Sequence, residues 1–242
     1  MIPVIIGVSF LVFFIMDLAP GDAVDILAPE GATAEDLEAI RHDLGLDQPV
    51  IVRYVKYMGG MLHGDMGVSY VSKTDVFDTY MEKLPATIKL SFASILVSIL
   101  LSVPLGIYSA TRQGTVQDNI SMIVAMIGLS MPNFWLGLLL IIVFSLNLGW
   151  FPSGGDQTLS SIVLPAITIG TGLMATLTRT TRSSMLDVLK QEYLRTARAK
   201  GIPEKIVITS HALRNALIPI ITIIGTQLAG VLGGSCLLYT SP

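Results

Sequence analysis

The stretch from Leu84 to Ala110 decides the fold, and it reads LPATIKLSFASILVSILLSVPLGIYSA. Its one charged residue, Lys89, lies near the beginning. A helix of about 20 apolar residues crosses the roughly 30 Å core of a bilayer, where no water satisfies unpaired backbone groups. The stretch therefore predicts a membrane-spanning helix.

The composition of the whole chain agrees with a membrane protein. Of its 242 residues, 52% are hydrophobic and 14% are charged, whereas soluble domains carry about 25% charged residues. So apolar a chain excludes a soluble enzyme. A single cysteine, Cys236, and three scattered histidines, His42, His63 and His211, argue against a disulfide or a metal site. We expect no cofactor and no metal on this chain.

Five segments are apolar enough to be spans or nearly so: Ile2 to Met16, Leu84 to Ala110, Ile120 to Leu148, Ile162 to Leu177 and Ala216 to Leu238. The first is short, which suggests that its beginning is missing. A cleaved signal peptide is the alternative, but no basic residue precedes Arg41, as such a peptide would require.

Charge sets the expected orientation of these spans. The loop from Asp17 to Lys83 contains 13 acidic and 5 basic residues, whereas the segment from Arg179 to Arg214 contains 8 basic and 3 acidic residues. The positive-inside rule places the second segment in the cytoplasm. Counting spans then places the acidic loop and the C-terminus outside, and the N-terminus and the turn from Arg112 to Asp118 inside.

The acidic loop carries helix signals of its own. Thr33 and Asp36 form the pattern of a capping box that opens a helix from Ala34 to Leu44, and Gly45 suits its end. A second helix is predicted to start at Pro49, and a third to cover Thr74 to Lys83. We expect these helices to lie on the outer membrane face, where the acidic residues either dock a soluble partner or simply face water.

Proline and glycine inside the spans predict bends or breaks, each of which frees a backbone carbonyl. These residues are Pro104, Gly106, Pro132, Pro165, Gly170, Gly225 and Gly230. No span carries a charged residue near its middle, which argues against an ion-coupled carrier.

The segment from residue 179 to 215, called the basic segment below, is predicted to fold as two helices around Gly201. The first covers Ser183 to Lys200, and its apolar residues Met185, Val188, Leu189 and Leu194 face the bundle or membrane. The second covers Pro203 to His211. Charge alone leaves two interpretations open: a docking surface, or a basic segment that fixes topology or contacts anionic lipid.

The basic segment contains RTARAKG at residues 195–201, and HALRNALIP at residues 211–219 begins in it and extends four residues past its end. It resembles the EAA loop of bacterial ABC-importer permeases, in the peptide and nickel branch, and most closely the dipeptide and oligopeptide permease B type. Further matches lie at residues 18–22 (LAPGD), 44–49 (LGLDQP), 64–70 (GDMGVSY), 132–135 (PNFW), 148–152 (LGWFP) and 164–166 (LPA).

Two departures from the family pattern stand out. Arg195 occupies the position of the usual glutamate, and Glu192, one turn earlier, is a candidate substitute. The tail after Gly234 reads SCLLYTSP where the family continues toward a sixth span. We therefore expect a chain truncated at both ends, with a foreign junction near Ser235.

The resemblance implies an all-α polytopic helical bundle of the type I ABC-importer permease kind, with five spans of six, in a bacterial or archaeal inner membrane. Residues 1–18 would form the first, incomplete span, residues 19–83 an external amphipathic helical loop, residues 84–238 the permease core with a coupling loop at 179–215, and residues 235–242 an atypical tail.

The implied partners are a second permease, two cytoplasmic ATPase subunits, an external solute-binding protein and the lipid bilayer, with no nucleic acid. ATP and Mg²⁺ would bind the ATPases, because this chain lacks a G-x-x-x-x-G-K-[ST] loop. The solute would be a peptide or a related small solute such as a nickel chelate or glutathione. A secondary transporter and a non-transporting membrane scaffold are the alternatives.

The resemblance also implies functional residues. The ATPase-coupling residues are Arg195, Thr196, Ala197, Gly201, Ile202, Pro203, Glu204, Ile206 and Leu213. Ala197 would approach the ATPase groove closely, and residues 202–208 would form the inserted surface. The pathway residues are Pro132, Asn133, Pro165, Thr168 and Thr176, near freed carbonyls in the later spans.

Overall fold

The computed structural model describes residues 2–18, 24, 28, 33–69, 72–155 and 158–239, with side chains through residue 234 except at position 43. The main helices are α1 (Ile2–Asp17), α2 (Ala34–Asp43), α3 (Val50–Leu62), α4 (Val76–Thr111), α5 (Val116–Ser130), α6 (Asn133–Leu140), α7 (Val163–Leu189), α8 (Glu192–Ala199), α9 (Glu204–Ile206) and α10 (Leu213–Tyr239). The chain divides into two compact units, Met1–Glu82 and Lys83–Pro242.

Some residues singled out in the sequence lie outside the described residues. They are residues 19–22 of the first motif, Tyr70 of the third and residues 240–242 of the tail.

The predicted all-helical membrane fold is confirmed. By length and composition, three helical stretches among the described residues suit a membrane span: Val76–Thr111, Leu159–Leu189 and Glu204–Gly234. A bent pair, Val116–Ser130 with Asn133–Asn147, makes a fourth if it counts as one span, and α1 is a shorter apolar helix of 16 residues. The predicted count of five spans stays a prediction.

In the first unit, α3 packs against α1 through aromatic side chains. The Tyr54 hydroxyl donates a hydrogen bond to the Ile6 carbonyl at 3.1 Å, and its ring meets those of Phe10 and Phe13 edge-on, with centroids 5.1 and 5.7 Å away. Such aromatic pairs contribute about 0.5–1.5 kcal/mol each beyond their buried area. Tyr54 is therefore the main anchor between the two helices.

The predicted capping box of α2 is confirmed. The Thr33 hydroxyl accepts a hydrogen bond from the Asp36 backbone N–H, while the Asp36 carboxylate accepts from the Thr33 backbone N–H at 2.9 Å. Gly45, at φ +65°, follows the last turn as expected, because a left-handed conformation favours glycine. Local sequence therefore sets both ends of this helix.

Lowering the pH is expected to loosen the first turn of α2. Hydrogen bonds from the hydroxyl and backbone N–H of Thr33 lower the pKa of Asp36, so the cap is complete above the ordinary aspartate pKa of about 4 and is lost as the pH falls through the folded-state pKa. Hydrogen exchange on the whole chain at about pH 6 and about pH 3 should show falling protection at the Asp36 and Leu37 amides. A Thr33→Ala variant should respond less; an equal response would contradict the assignment.

The prediction of a separate helix over Thr74 to Lys83 is wrong, because α4 begins at Val76 and continues to Thr111. The Asp75 carboxylate caps its start by accepting hydrogen bonds from the Phe77 and Asp78 N–H groups at 2.8 and 3.1 Å. Pro85 lies inside the helix without ending it.

In the second unit, α7 is the central helix and small residues bring α4 against it. The Ser102 hydroxyl of α4 donates to the Met174 carbonyl at 3.2 Å. A Cβ built on Gly106 would lie 2.6 Å from the Thr181 Cβ, and one on Gly170 would lie 2.8 Å from the Ser94 carbonyl oxygen. Small residues permit such close backbone approach, which drives helix association in membranes.

The predicted third span, Ile120 to Leu148, is broken at Pro132. Helices α5 and α6 meet there at 96°, and a π-helix, Ile141–Asn147, continues α6. Met131 has extended φ and ψ of −83° and 126°, which is the conformation that a following proline imposes. At the other predicted break positions, Pro104, Gly106, Pro165, Gly170, Gly225 and Gly230, the helices continue.

Candidate coupling site and membrane cavity

The first helix of the basic segment differs from its prediction. Instead of one helix from Ser183 to Lys200, α7 continues to Leu189, and α8 begins at Glu192 after extended backbone at Gln191. The π-helix Val207–Ala212 links α9 directly to α10, so the predicted separate helix Pro203 to His211 is also wrong. The first part of the first predicted helix, up to Leu189, therefore belongs to α7, while the second predicted helix runs on into α10.

One face of the basic segment packs into a hydrophobic core that it shares with α7 and α10. Leu194 and Val207 are fully buried against Met185 and Leu177 of α7 and Ile220 of α10. Burying such a side chain away from water stabilises a fold by about 1.5–3 kcal/mol. The predicted inward face of Met185, Val188, Leu189 and Leu194 is confirmed, since all four belong to or pack on this cluster.

Ala197 and Val207, which the resemblance implied to be part of the docking surface, lie in the core. Ala197 is only 7% exposed and belongs to the core cluster, so it brings α8 close to α7 and α10. Its role in coupling stays a prediction. Val207, inside the expected inserted surface 202–208, is fully buried, while Ile202 and Leu213 are half-buried beside the same cluster. Extended backbone at Gln191 separates α8 from α7.

The exposed coupling face consists of the remaining predicted residues with one neighbouring lysine: Arg195, Thr196, Gly201, Pro203, Glu204, Lys205 and Ile206. Ile206 is 45% exposed. Large apolar side chains that a partner desolvates dominate binding energy at interfaces. Ile206 is the large apolar side chain that this face exposes.

The turn between α8 and α9 depends on Gly201, whose φ of +75° favours glycine. An ion pair closes the turn: Arg198 Nε and Nη2 donate to the Glu204 carboxylate at 3.0 and 2.8 Å. This hydrogen bonding raises the already high pKa of Arg198, so the guanidinium stays charged. Because both groups are partly exposed, the pair is worth at most about 1 kcal/mol, and its role is to fix the direction of α9.

Arg195 pairs with Glu192, the candidate substitute for the glutamate of the family pattern. Its Nη1 donates to the Glu192 carboxylate at 3.0 Å, and both side chains are exposed. Tyr193 lies nearby on α8 and accepts a hydrogen bond from Asn215 at 2.6 Å, which ties α8 to α10. The acidic group at this end of α8 is thus present one turn earlier, paired with the arginine.

A buried ion pair that the sequence analysis missed lies between α5 and α7. Arg182 Nε and Nη2 donate to the Asp118 carboxylate at 2.8 and 2.7 Å, while the Ser109 hydroxyl and the Gly114 N–H donate at 2.5 and 3.0 Å. The Asp118 side chain is 4% exposed. The pair places the turn 112–118 and the start of the basic segment at the same end of the second unit, which agrees with the predicted topology.

A cavity of about 520 Å³ lies at the α5–α6 bend, against α7 and α10. Of the predicted pathway residues, Pro132 and Asn133 line it. Pro165 and Thr176 are exposed elsewhere on α7, and Thr168 is buried with its hydroxyl bonded to the Leu164 carbonyl at 2.8 Å. Gln227 of α10 also lines the cavity, and no sequence signal marked it beyond an amide in an otherwise apolar run.

Comparisons with known proteins identify what this bundle is. Residues 102–240 match the family described as binding-protein-dependent transport system inner membrane component, and residues 1–91 match the family of the N-terminal part of such components. The chain belongs to this family of permeases. The permease assignment predicted from the basic segment is confirmed, whereas the alternatives of a secondary transporter and a membrane scaffold are wrong.

Individual relatives agree. The permease is similar to the oligopeptide transport system permease protein AppB of Bacillus subtilis (strain 168), with 44% identity over 97% of this chain and 78% of the relative. It is also similar to the glutathione transport system permease protein GsiC of Escherichia coli (strain K12), with 40% identity over 97% of this chain and 77% of the relative. It is thus a multi-pass inner-membrane transport subunit, and its family points to a protein that is not an enzyme.

Proposed function

We propose that this permease forms, with a second permease, the membrane pathway of an ATP-driven importer of peptides. The solute class follows from the relatives, which serve oligopeptide and glutathione transport by name. Substrate delivery is assigned to an external solute-binding protein, as the family description implies.

The unequal burial of the spans supports a second permease. In its most apolar window α10 is 17% buried, whereas the span containing α7 is 50% buried. A helix that packs on so few neighbours leaves most of its surface for lipid or for another subunit. We assign part of this surface to the second permease.

We assign ATP and Mg²⁺ to two partner ATPases. The sequence lacks the phosphate loop, and among the described residues no group of three His, Cys, Asp or Glu side chains is placed to hold a metal ion. The exposed coupling face docks on these subunits. Its α9 part is joined to α10 without a break, so movement of the ATPases would reach a span through contiguous helix.

The domain assignment is part of the same proposal. Residues 1–18 form the first span, residues 19–83 the external loop, and residues 84–238 the pathway and coupling loop, with residues 235–242 as the tail. The acidic excess of the external loop supports its place on the outer side.

Replacing Ile206 with aspartate is expected to lower ATP-driven uptake at least tenfold. A carboxylate on the exposed coupling face must lose water to dock, and burying an unpaired charge costs more than the roughly 1.4 kcal/mol that corresponds to tenfold. The measurement is peptide uptake into vesicles that contain the whole importer, together with co-purification of the ATPases.

Val116→Asp is the matched control, because Val116 is 72% exposed at the start of α5, outside the basic segment. It should retain uptake and co-purification. Undiminished ATPase binding by the Ile206→Asp variant would contradict the docking assignment. Absence of ATP-dependent peptide uptake by the wild-type importer would contradict the proposed function itself.

A further inference from the structure

Two buried hydroxyl groups between α4 and α7 lack a hydrogen-bond partner. Ser98 of α4 and Thr178 of α7 are both 0% exposed, and among the described residues no group pairs with Ser98 Oγ or Thr178 Oγ1. A buried polar group without a partner has lost its hydration and gained nothing in return, so such groups are rare in folded proteins. Two of them in one bundle require a physical reason.

Both hydroxyls belong to the same helix–helix interface. Ser98 lies one helical turn from Ser94 and from Ser102, and both of these residues contact α7. Thr178 lies one turn after Met174, whose carbonyl accepts the hydrogen bond from Ser102. Residues four positions apart share a face of a helix, so the two unpaired hydroxyls lie where α4 meets α7.

Other buried hydroxyls of this interface are paired within their own helix. The Ser94 hydroxyl of α4 and the Thr181 hydroxyl of α7 each donate to the carbonyl four residues earlier, at 2.8 Å. This carbonyl is the usual partner of a serine or threonine inside a helix. For Ser98 and Thr178 the equivalent acceptors are the carbonyls of Ser94 and Met174.

Contacts between the two helices occupy these acceptors. Ser102 Oγ donates to the Met174 carbonyl at 3.2 Å, and together with the helical N–H of Thr178 it uses both lone pairs of that oxygen. Gly170 lies against the Ser94 carbonyl, since a Cβ built on it would be 2.8 Å from the oxygen. The close packing of α4 on α7 therefore leaves the two hydroxyls without their usual acceptors.

The end of the interface nearest the basic segment is fastened differently. Ser109 of α4 and Arg182 of α7 both donate to the Asp118 carboxylate of α5. This cluster ties the two helices together, and each of these three side chains has a partner. The unpaired hydroxyls lie farther along the helices, where the contacts compete with each other.

We propose that α4 and α7 part during each transport cycle and pivot at the Asp118 cluster. The Ser98 and Thr178 hydroxyls then regain the carbonyls four residues earlier. This structure is the tight arrangement, which gains close packing and loses two hydroxyl bonds. Because each arrangement exchanges one set of contacts for another, a partner can shift the balance between them. This inference rests on the proposed function, which requires a moving pathway.

The test is whether removing the unpaired hydroxyls stabilises the permease and slows transport. The double variant Ser98→Ala, Thr178→Val relieves the tight arrangement of two unpaired groups and deprives the parted arrangement of two hydrogen bonds. We expect the midpoint of thermal unfolding of the solubilised protein to rise by about 2–4 °C. Peptide uptake by the whole importer should fall about tenfold, because the cycle must leave a more stable arrangement.

The double variant Ser94→Ala, Thr181→Val is the matched control. These two hydroxyls are equally buried and lie on the same two helices, but each is paired within its own helix. Their bonds are present in both arrangements, so their loss does not change the balance. The midpoint of this control should not rise, and its uptake should match that of wild type.

Two results would overturn the proposal. An unchanged or lower midpoint in Ser98→Ala, Thr178→Val would show that the hydroxyls are already paired, for example with water. A higher midpoint with unchanged uptake would show that α4 and α7 stay together through the cycle. Failure of the wild-type importer to take up peptide would instead contradict the proposed function.

Discussion

Replacing Gly106 with leucine is expected to abolish correct folding of the permease. A Cβ at this position would lie 2.6 Å from the Thr181 Cβ and 2.9 Å from the Thr178 carbonyl oxygen, so even the first side-chain atom does not fit. Helices α4 and α7 would have to separate, which costs more than the about 1–3 kcal/mol of ordinary overpacking. Size-exclusion chromatography of the solubilised protein should show loss of the monodisperse peak.

Gly225→Leu provides the control for this prediction. It makes the same change inside α10, where, beyond the adjacent backbone of the helix itself, no heavy atom of the described residues lies within 4 Å of the built Cβ. The control should remain monodisperse. A Gly106→Leu variant with wild-type behaviour would mean that α4 and α7 do not approach each other this closely.

Replacing Asp118 with alanine is expected to destabilise the second unit by about 1–3 kcal/mol, the cost of leaving buried hydrogen-bond donors without their acceptor. Arg182 would keep a charge that is 27% exposed, and the Ser109 hydroxyl and Gly114 N–H would lose their acceptor. The temperature at which the solubilised protein loses half of its monodisperse peak should fall clearly below that of wild type.

A double variant separates charge from packing. Combining Asp118→Leu with Arg182→Met removes both charges, and apolar replacement of a whole buried pair is often neutral. The double variant should therefore be more stable than Asp118→Ala despite carrying two changes. If it were less stable, the pair would be stabilising in its own right.

The predictions that succeeded rest on short-range signals. The capping box of Thr33 and Asp36, the glycine after α2 and the turn at Gly201 each depend on a few neighbouring residues, because backbone conformation and capping are local. Hydropathy likewise located the apolar helices.

What failed depends on distant parts of the chain. Asp118 and Arg182 are 64 positions apart, and no sequence motif near either residue indicates that the two form a pair. Pro132 ends a helix while α4 continues through Pro104, since neighbouring helices decide whether freed backbone groups find partners. The burial of Ala197 likewise depends on the packing of α8 against α7 and α10, and its role in coupling stays a prediction.

The chain continues without a break from α9 through the π-helix into α10, so this stretch forms one continuous helical rod. From Ile206 to Gln227 the helical path is about 30 Å long, at 1.5 Å for each residue. The hydrogen bond from Gln227 to the Leu173 carbonyl ties the far end of this path to α7. In the proposed coupling, a partner that displaces Ile206 by about 5 Å would tilt α10 by about 10° about this hydrogen bond, because the displacement is spread over the whole length of the path.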